Sequence, residues 1–599
     1  MRDTPSCPSA NEQGKTVLLA AAAIVLAGVL AYSNSFSVPL LFDDLSSVGN
    51  PTVQRLWPIW RPLCPPNHGE PVSGRPVVNL SLAINYVISG MDVWSYHAAN
   101  LAIHLAAALT LFGLIRRTLL LPSMHARFGA AATPLALGIA LLWAVHPLQT
   151  ESVTYIIQRA ESLAALFYLL TLYCFVRGRR TDAPVGRFQR PRRTDIPVCQ
   201  GSRDEMTGKN ACPSAELVTG KNSGPPDGRT AIAWDVATVI ACLFGMATKE
   251  TMVSAPLMLL LYDRAFVAGS FAEAWRRRRW LYAALAATWC LLAWLVVSTG
   301  NRGGTAGLGA GVGPWQYLCT QFVAIVHYLR LCFWPQPLVF DYGHLTIDDA
   351  RAIVPCAIVV VLLGGATLVA LWRWPKAGFL GAAFLALLAP TSSIVPVATQ
   401  TIAEHRMYLP LAAVATAVLA AVYLVGRCFQ RGTALLRGVA ALLVALTVAG
   451  LGTLTYHRNA DYRTGLAIWQ DTAEKASGNW RAHNNFGLAL AASGRTEEAA
   501  AQYDEALRLW PDAAEAHINL SVILANCGRS DDALAHCRAA LRAQPNNAAA
   551  HNNYGSLLGR LGRLDEAAAE FRRSLEIDPT NSVARGNLRR CGPQLSPKP

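Results

Sequence analysis

Eleven stretches of about twenty apolar residues recur along the chain up to residue 455. Inside a bilayer backbone amides have no water to bond, so such stretches cross it as helices. They lie near 16–33, 97–115, 130–147, 160–176, 231–247, 251–267, 280–298, 352–372, 377–396, 407–426 and 436–455. This confines the first three quarters of the chain to an all-α, polytopic membrane bundle of about 11 spans. Charged residues make up 15% of the 599, against about 25% in soluble domains. The run Thr16 to Tyr32 lacks a small-x-small cleavage pattern and reads as a retained span.

Basic residues set the orientation through the positive-inside rule. Arg116, Arg117 and Arg127 follow the second span, and Arg177, Arg179 and Arg180 follow the fourth. Arg276 to Arg279 precede the seventh, and Arg427 and Arg431 follow the tenth. With these in the cytoplasm, the N-terminus is inside and the 34–96 loop and the C-terminus are outside. Residues 315–335 are apolar but carry His327 and Arg330; an interfacial helix within an outer loop at 299–351 keeps the charge pattern intact. The net charge of +14 follows from the same clustering and does not point to nucleic acid. The 14 cysteines include no CxxC pair, which leaves neither a zinc site nor a disulfide framework. Residues 178–230 are basic, rich in Gly, Pro, Arg and Thr, and poor in apolar periodicity. They are expected to form a disordered cytoplasmic insertion.

From Trp480 the sequence repeats every 34 residues. Gly494, Gly528 and Gly562 share one register, Ala499, Ala533 and Ala567 a second, and Pro511, Pro545 and Pro579 a third; a bulky slot reads Tyr503, Cys537, Phe571. This is the pattern of the tetratricopeptide repeat, whose helix pairs stack into a solenoid. The division is therefore 1–455 membrane domain, 456–479 degenerate half-repeat, and 480–592 three repeats plus a cap. Asn484, Asn485, Asn519, Asn552 and Asn553 recur on the first helices, where they could bond a peptide backbone or simply stay wet.

Chemistry concentrates on the outer side. Asp43 and Asp44 stand just after the first span, at the head of a long outer loop. One could take the proton of an attacking hydroxyl, or the pair could hold Mg²⁺ or Mn²⁺ against a phosphate; a turn or helix cap is the plain alternative. Arg75-Pro76 opens an amphipathic interfacial helix, and His97 enters the second span. The next outer loop carries Glu151, Arg159 and Glu161, a third turn Lys249 and Glu250, and a fourth Glu404, His405, Arg406 and Tyr408. Arginine binds phosphate oxygens as a fork, so Arg406, then Arg159 and Lys249, are the candidates for a lipid-phosphate clamp. No P-loop and no GxGxxG after a strand occurs, which argues against direct use of a nucleotide.

The array FDDLSSVGN, RPVVNLSLAINY, YHAANLAIH, AVHPLQTESVTYIIQRAE, MATKETMVSAPLMLLLYD and AEHRMYLP, followed by three repeats, resembles the transmembrane and tetratricopeptide repeat-containing family. The resemblance implies a GT-C-type membrane fold. It implies a protein O-mannosyltransferase that moves a sugar from a polyprenyl or dolichyl phosphate to Ser or Thr hydroxyls. Carried over by position, Asp43 and Asp44 are the acidic pair of the first outer loop and Arg406 holds the donor phosphate. Metal dependence stays open. The site side is the endoplasmic reticulum lumen, or the periplasm in a bacterium, where the protein would be an inner-membrane enzyme. Competing readings are a lipid or polysaccharide acceptor and a non-catalytic scaffold whose repeats recruit partners. A transporter is disfavoured, since no matching pair of broken spans is present.

Overall fold

The structure is a computed structural model that describes residues 10–66, 71–179, 228–300, 312–343, 345–393, 395–397, 400–428 and 434–591. Most of the 178–230 insertion lies outside these residues. The described secondary-structure elements are all helical. Among the described residues ten helices are long and apolar enough to cross a membrane: Asn11–Ala31, Trp94–Leu119, Pro122–Ala144, Ile156–Gly178, Arg229–Met246, Glu250–Ala268, Phe271–Ser298, Ala350–Arg373, Pro410–Arg427 and Gly438–Asp461. The expected span at 377–396 is instead the helix Pro375–Leu388, of 14 residues. At 1.5 Å per residue it reaches about 21 Å, short of the roughly 30 Å hydrocarbon layer. Ala389 keeps helical angles, and Pro390, which has no N–H to continue the ladder, follows it where the helix stops. Segment 315–335 forms the helix Pro314–Phe333, packed on Ala350–Arg373 and outside the ten.

Trp94–Leu119 packs between Ala132–Ala144 and Arg159–Gly178, which in turn packs on Gly228–Met246. Their shared core includes Trp143, Phe175, Tyr262 and Tyr408. A second core lies at one end of the bundle. It joins Val38, Leu41 and Val48 of the first outer loop to Tyr155, Ile156 and Phe340, and to Tyr462, Trp469 and Ala482 at the start of the repeats. This cap places the 34–96 loop and the solenoid on the same side.

In the solenoid, Gly494, Gly528 and Gly562 have φ of 78°, 80° and 77°, a conformation that β-carbons oppose. Each sits where the next residue's N–H closes the first helix of a pair: Arg495 to Leu490, Arg529 to Leu524 and Arg563 to Leu558, at 2.9–3.0 Å. Close approach also fixes residue size. A Cβ on Gly487 would stand 2.7 Å from the Tyr503 ring, and one on Gly555 2.9 Å from Phe571. In the middle repeat the same two positions hold Ser521 and Cys537, so the larger first residue meets a smaller second one.

Candidate functional site

The first span ends in turns that bury Val38 and Leu41 and leave Phe42 with φ 42° and ψ −111°. Among the described residues Phe42 is the non-glycine with positive φ; such strain persists only where surroundings impose it. Here the surroundings are aromatic. The Phe42 ring meets Trp469 edge-on at 5.4 Å, Trp469 meets Phe340 at 5.3 Å, and Phe340 meets Tyr155 at 5.1 Å. The backbone therefore turns sharply just before the acidic pair.

The two aspartates differ. Asp44 is 1% exposed; its Oδ2 accepts the Leu41 N–H at 3.1 Å and its Oδ1 the Ile157 N–H at 2.8 Å. Burial lifts its carboxyl to about 8, against the pull of those two amides. Asp43 is half-buried, and its backbone N–H donates to the Tyr155 hydroxyl at 3.1 Å. Among the described residues none bonds its carboxylate. Burial lifts that carboxyl to about 6, with Arg481 lowering it and Asp341 raising it. Asp341 and Arg481 form an ion pair at 2.7 Å.

The donor set does not fit Mg²⁺ or Mn²⁺ through the Asp43–Asp44 pair. Both Asp44 oxygens face N–H donors, which leaves one open carboxylate. Among the described residues no group of three or more His, Cys, Asp or Glu is arranged to hold a metal.

Four other candidates meet in one buried chain. Glu151 Oε1 lies 2.7 Å from His405 Nδ1, His405 Nε2 lies 4.0 Å from Glu161 Oε1, and Glu161 pairs with Lys249. Burial raises Glu151 to about 8 and lowers His405 to about 3, so each is pushed toward its neutral form. Glu404 Oε1 accepts from the Val339 N–H at 2.6 Å and the Tyr342 hydroxyl at 2.8 Å, anchoring the loop that carries Asp341. Tyr408 bonds through its hydroxyl to His104 at 2.7 Å, and His97 Nε2 lies 2.8 Å from the Val38 carbonyl. Glu250 lies 4.0 Å from Arg75.

The arginines do not converge on an open phosphate site. Arg159 is fully buried, with Nε on Asn100, Nη1 on Ser81 and Asn85, and Nη2 on the Tyr96 carbonyl. It pins the interfacial helix Pro76–Ser89 to the bundle. Arg406 donates to the Thr401 carbonyl at 3.0 Å and to the Gln400 carbonyl, and so holds its own loop. Lys249 is placed differently. It lines a cleft with Ser73, Gly74 and Glu250 on one wall and Leu292, Leu295 and Val296 of a spanning helix on the other. Arg75 stands beside it with a buried Nε that no group among the described residues accepts from.

Sequence reasoning missed Asp341, Arg481 and Tyr155. A signal for Asp341 was present: a carboxylate in an otherwise apolar outer segment, PLVFDYG. On the solenoid, Asn485, Asn519, Asn553 and Asn587 recur at 34-residue intervals, the last beyond the asparagines named from sequence. Asn519 Nδ2 donates to Asn484 at 2.9 Å and Asn587 Nδ2 to Asn552 at 3.2 Å, tying neighbouring helix pairs together.

The fold and site define a polytopic helical membrane protein whose cap is continuous with a tetratricopeptide solenoid. Residues 455–514, 484–548 and 523–582 match the tetratricopeptide repeat family. The chain is 32% identical over 161 residues to protein O-mannosyl-transferase tmtc2 of Xenopus laevis, covering 25% of this chain and 18% of that protein. It is 23% identical over 532 residues to protein O-mannosyl-transferase Tmtc3 of Drosophila melanogaster, covering 82% and 55%. Over 535 residues it is 22% identical to protein O-mannosyl-transferase F38B6.6 of Caenorhabditis elegans, covering 85% and 65%. The chain thus spans less than two thirds of the length of each relative. The tetratricopeptide domain of Arabidopsis OM64 is 25% identical, covering 19% of this chain and 93% of that one, with a TM-score of 0.18. These relatives bear the names of the family that the sequence motifs resemble.

Proposed function

We propose that this protein moves mannose from a polyprenyl- or dolichyl-phosphate donor to Ser and Thr hydroxyls of proteins, with Asp43 as the general base. The observation that carries this reading is the open Asp43 carboxylate in a cap shared with the repeats, in a chain similar to named protein O-mannosyl-transferases. A base near 6 is ionised at neutral pH yet still basic enough to take a hydroxyl proton. The acceptor oxygen attacks the anomeric carbon as the bond to the donor phosphate breaks. The electron pair leaves on the lipid phosphate, and the hydroxyl proton passes to Asp43. One displacement inverts the anomeric carbon.

Asp44 is the latch that orients the pair, not the base. The donor phosphate is read into the cleft beside Lys249 and Arg75, where a charged headgroup meets cations and its isoprenoid lies along Leu292, Leu295 and Val296. The chain Lys249–Glu161–His405–Glu151 leads from this cleft toward Asp341, whose charge acts on both Glu151 and Asp43. The asparagine column offers each amide's donor and acceptor to the backbone of an extended acceptor. Transfer takes place in the endoplasmic reticulum lumen, or in the periplasm for a bacterial inner-membrane enzyme.

The test is transfer by purified full-length protein in lipid vesicles, supplied with radiolabelled mannosyl-phosphoryl polyprenol and an unfolded Ser/Thr-rich protein. Label on protein that alkaline β-elimination releases is expected. Label confined to lipid would overturn the protein acceptor.

A further inference from the structure

The charges acting most directly on Asp43 come from two remote parts of the chain. Asp341, 3% exposed, lies in the loop after helix Pro314–Phe333, and Arg481 lies in the first turn of Trp480–Ala492. Arg481 Nη2 donates to Asp341 Oδ1 at 2.7 Å and to Oδ2 at 2.9 Å, and its Nε reaches Oδ2 at 3.2 Å. Asp341 Oδ1 also accepts the Gly343 N–H at 3.0 Å. Asn479 caps the repeat helix by accepting the Arg481 N–H at 3.0 Å and donates its Nδ2 to the Asp341 carbonyl at 2.8 Å. Contact is tight enough that a Cβ on Gly343, at φ 70°, would fall 2.5 Å from the Asn479 Oδ1. Beneath these polar links, Trp469 touches both Phe340 and Phe42, the residue before Asp43.

We propose that Arg481 is a positioning residue for the base: the first repeat helix, docked on Asp341, completes the acidic site of the membrane domain. The inference rests on the reading of Asp43 as base. Arg481 is also four residues before Asn485, on the same helix face. The helix that begins the asparagine column thus also sets the charge beside the base. The charged and titratable groups coupled electrostatically to Asp43 are Asp44 on its own helix, Tyr155 of the second outer loop, Asp341 of the 334–343 loop and Arg481 of the solenoid. Without Arg481, Asp341 acts on Asp43 as an unscreened like charge and holds its proton more tightly.

The test uses full-length protein and compares wild type, Arg481→Lys, Arg481→Gln and the double variant Asp341→Asn/Arg481→Gln. Two readouts are taken across pH: kcat and KM for mannose transfer, and carbodiimide labelling of Asp43 by peptide mass spectrometry. Labelling needs a protonated carboxyl and no turnover. Arg481→Gln is expected to move both profiles upward by on the order of one pH unit, lowering kcat at pH 6 more than it raises KM. Arg481→Lys and the double variant should return both profiles toward wild type. An Asp43 labelling profile unmoved by Arg481→Gln would overturn the inference, even if stability fell. If wild type transfers no mannose, the labelling profile still decides the Arg481 claim, and only the function reading fails.

Discussion

Asp44 accepts a hydrogen bond from the backbone N–H of Ile157, 113 residues away, at 2.8 Å. With the Leu41 N–H on its other oxygen, the side chain ties the end of the first span to the second outer loop. A carboxylate accepts at both oxygens, which suits two converging amide donors. Asparagine would offer one acceptor and turn an amide donor against the other N–H. Asp44→Asn should therefore lower stability by about 2–3 kcal/mol, read as a fall in the thermal midpoint in detergent. Asp43→Asn, on a half-buried group without side-chain partners, should leave the midpoint near wild type.

A base must be ionised to act. Asp43 is raised to about 6 by burial, with Arg481 lowering and Asp341 raising it. Transfer should thus be full above pH 7 and fall with a slope of one as pH drops through about 6. Initial rates between pH 4.5 and 8 check this; a rate held constant to pH 4.5 contradicts it.

Burial of Arg159 against Asn100, Asn85, Ser81 and the Tyr96 carbonyl makes it a structural hub. Arg159→Met leaves those acceptors without donors and should cost about 3–5 kcal/mol. Limited proteolysis should then cut within 34–96 much faster than in wild type. The buried Glu161–Lys249 pair gives a second, sharper comparison. Glu161→Gln alone should destabilise more than Glu161→Gln with Lys249→Met, because the single change leaves a buried charge unpaired. Thermal midpoints of the three proteins order the two costs.

The repeats offer a size test. Gly487 faces Tyr503 with no room for a methyl, whereas Ser521 faces Cys537. Gly487→Ala should cost about 1–3 kcal/mol, and pairing it with Tyr503→Cys should recover part of that. Unfolding of the full chain, followed by tryptophan fluorescence, measures the difference.

Local periodicity explains why the spans and the repeats could be read directly. Twenty apolar residues or a 34-residue register carry their structure with them, as the Gly494, Gly528 and Gly562 turns show. The exception at Pro375–Leu388 is also local, since Pro390 is visible in the sequence but was outweighed by hydropathy. The site was half legible. Two aspartates at the loop head were conspicuous, yet which one stays open depends on the remote amide of Ile157. Asp341 and Arg481, 140 residues apart, meet at a junction where Phe340 packs on Trp469 and Asn479 bonds the Asp341 carbonyl. Arg406 looked outward by position, but the carbonyls of its own loop, Gln400 and Thr401, turn it in.

The most direct check is mannose transfer from radiolabelled mannosyl-phosphoryl polyprenol in membranes holding equal amounts of wild type, Asp43→Asn or Asp44→Asn. Wild-type membranes should label protein, Asp43→Asn membranes should not, and Asp43→Asn should keep the wild-type thermal midpoint. The Asp44 variant should lose transfer in proportion to its lost stability. Protein labelling by Asp43→Asn at the wild-type rate would remove the base from this site and contradict the mechanism.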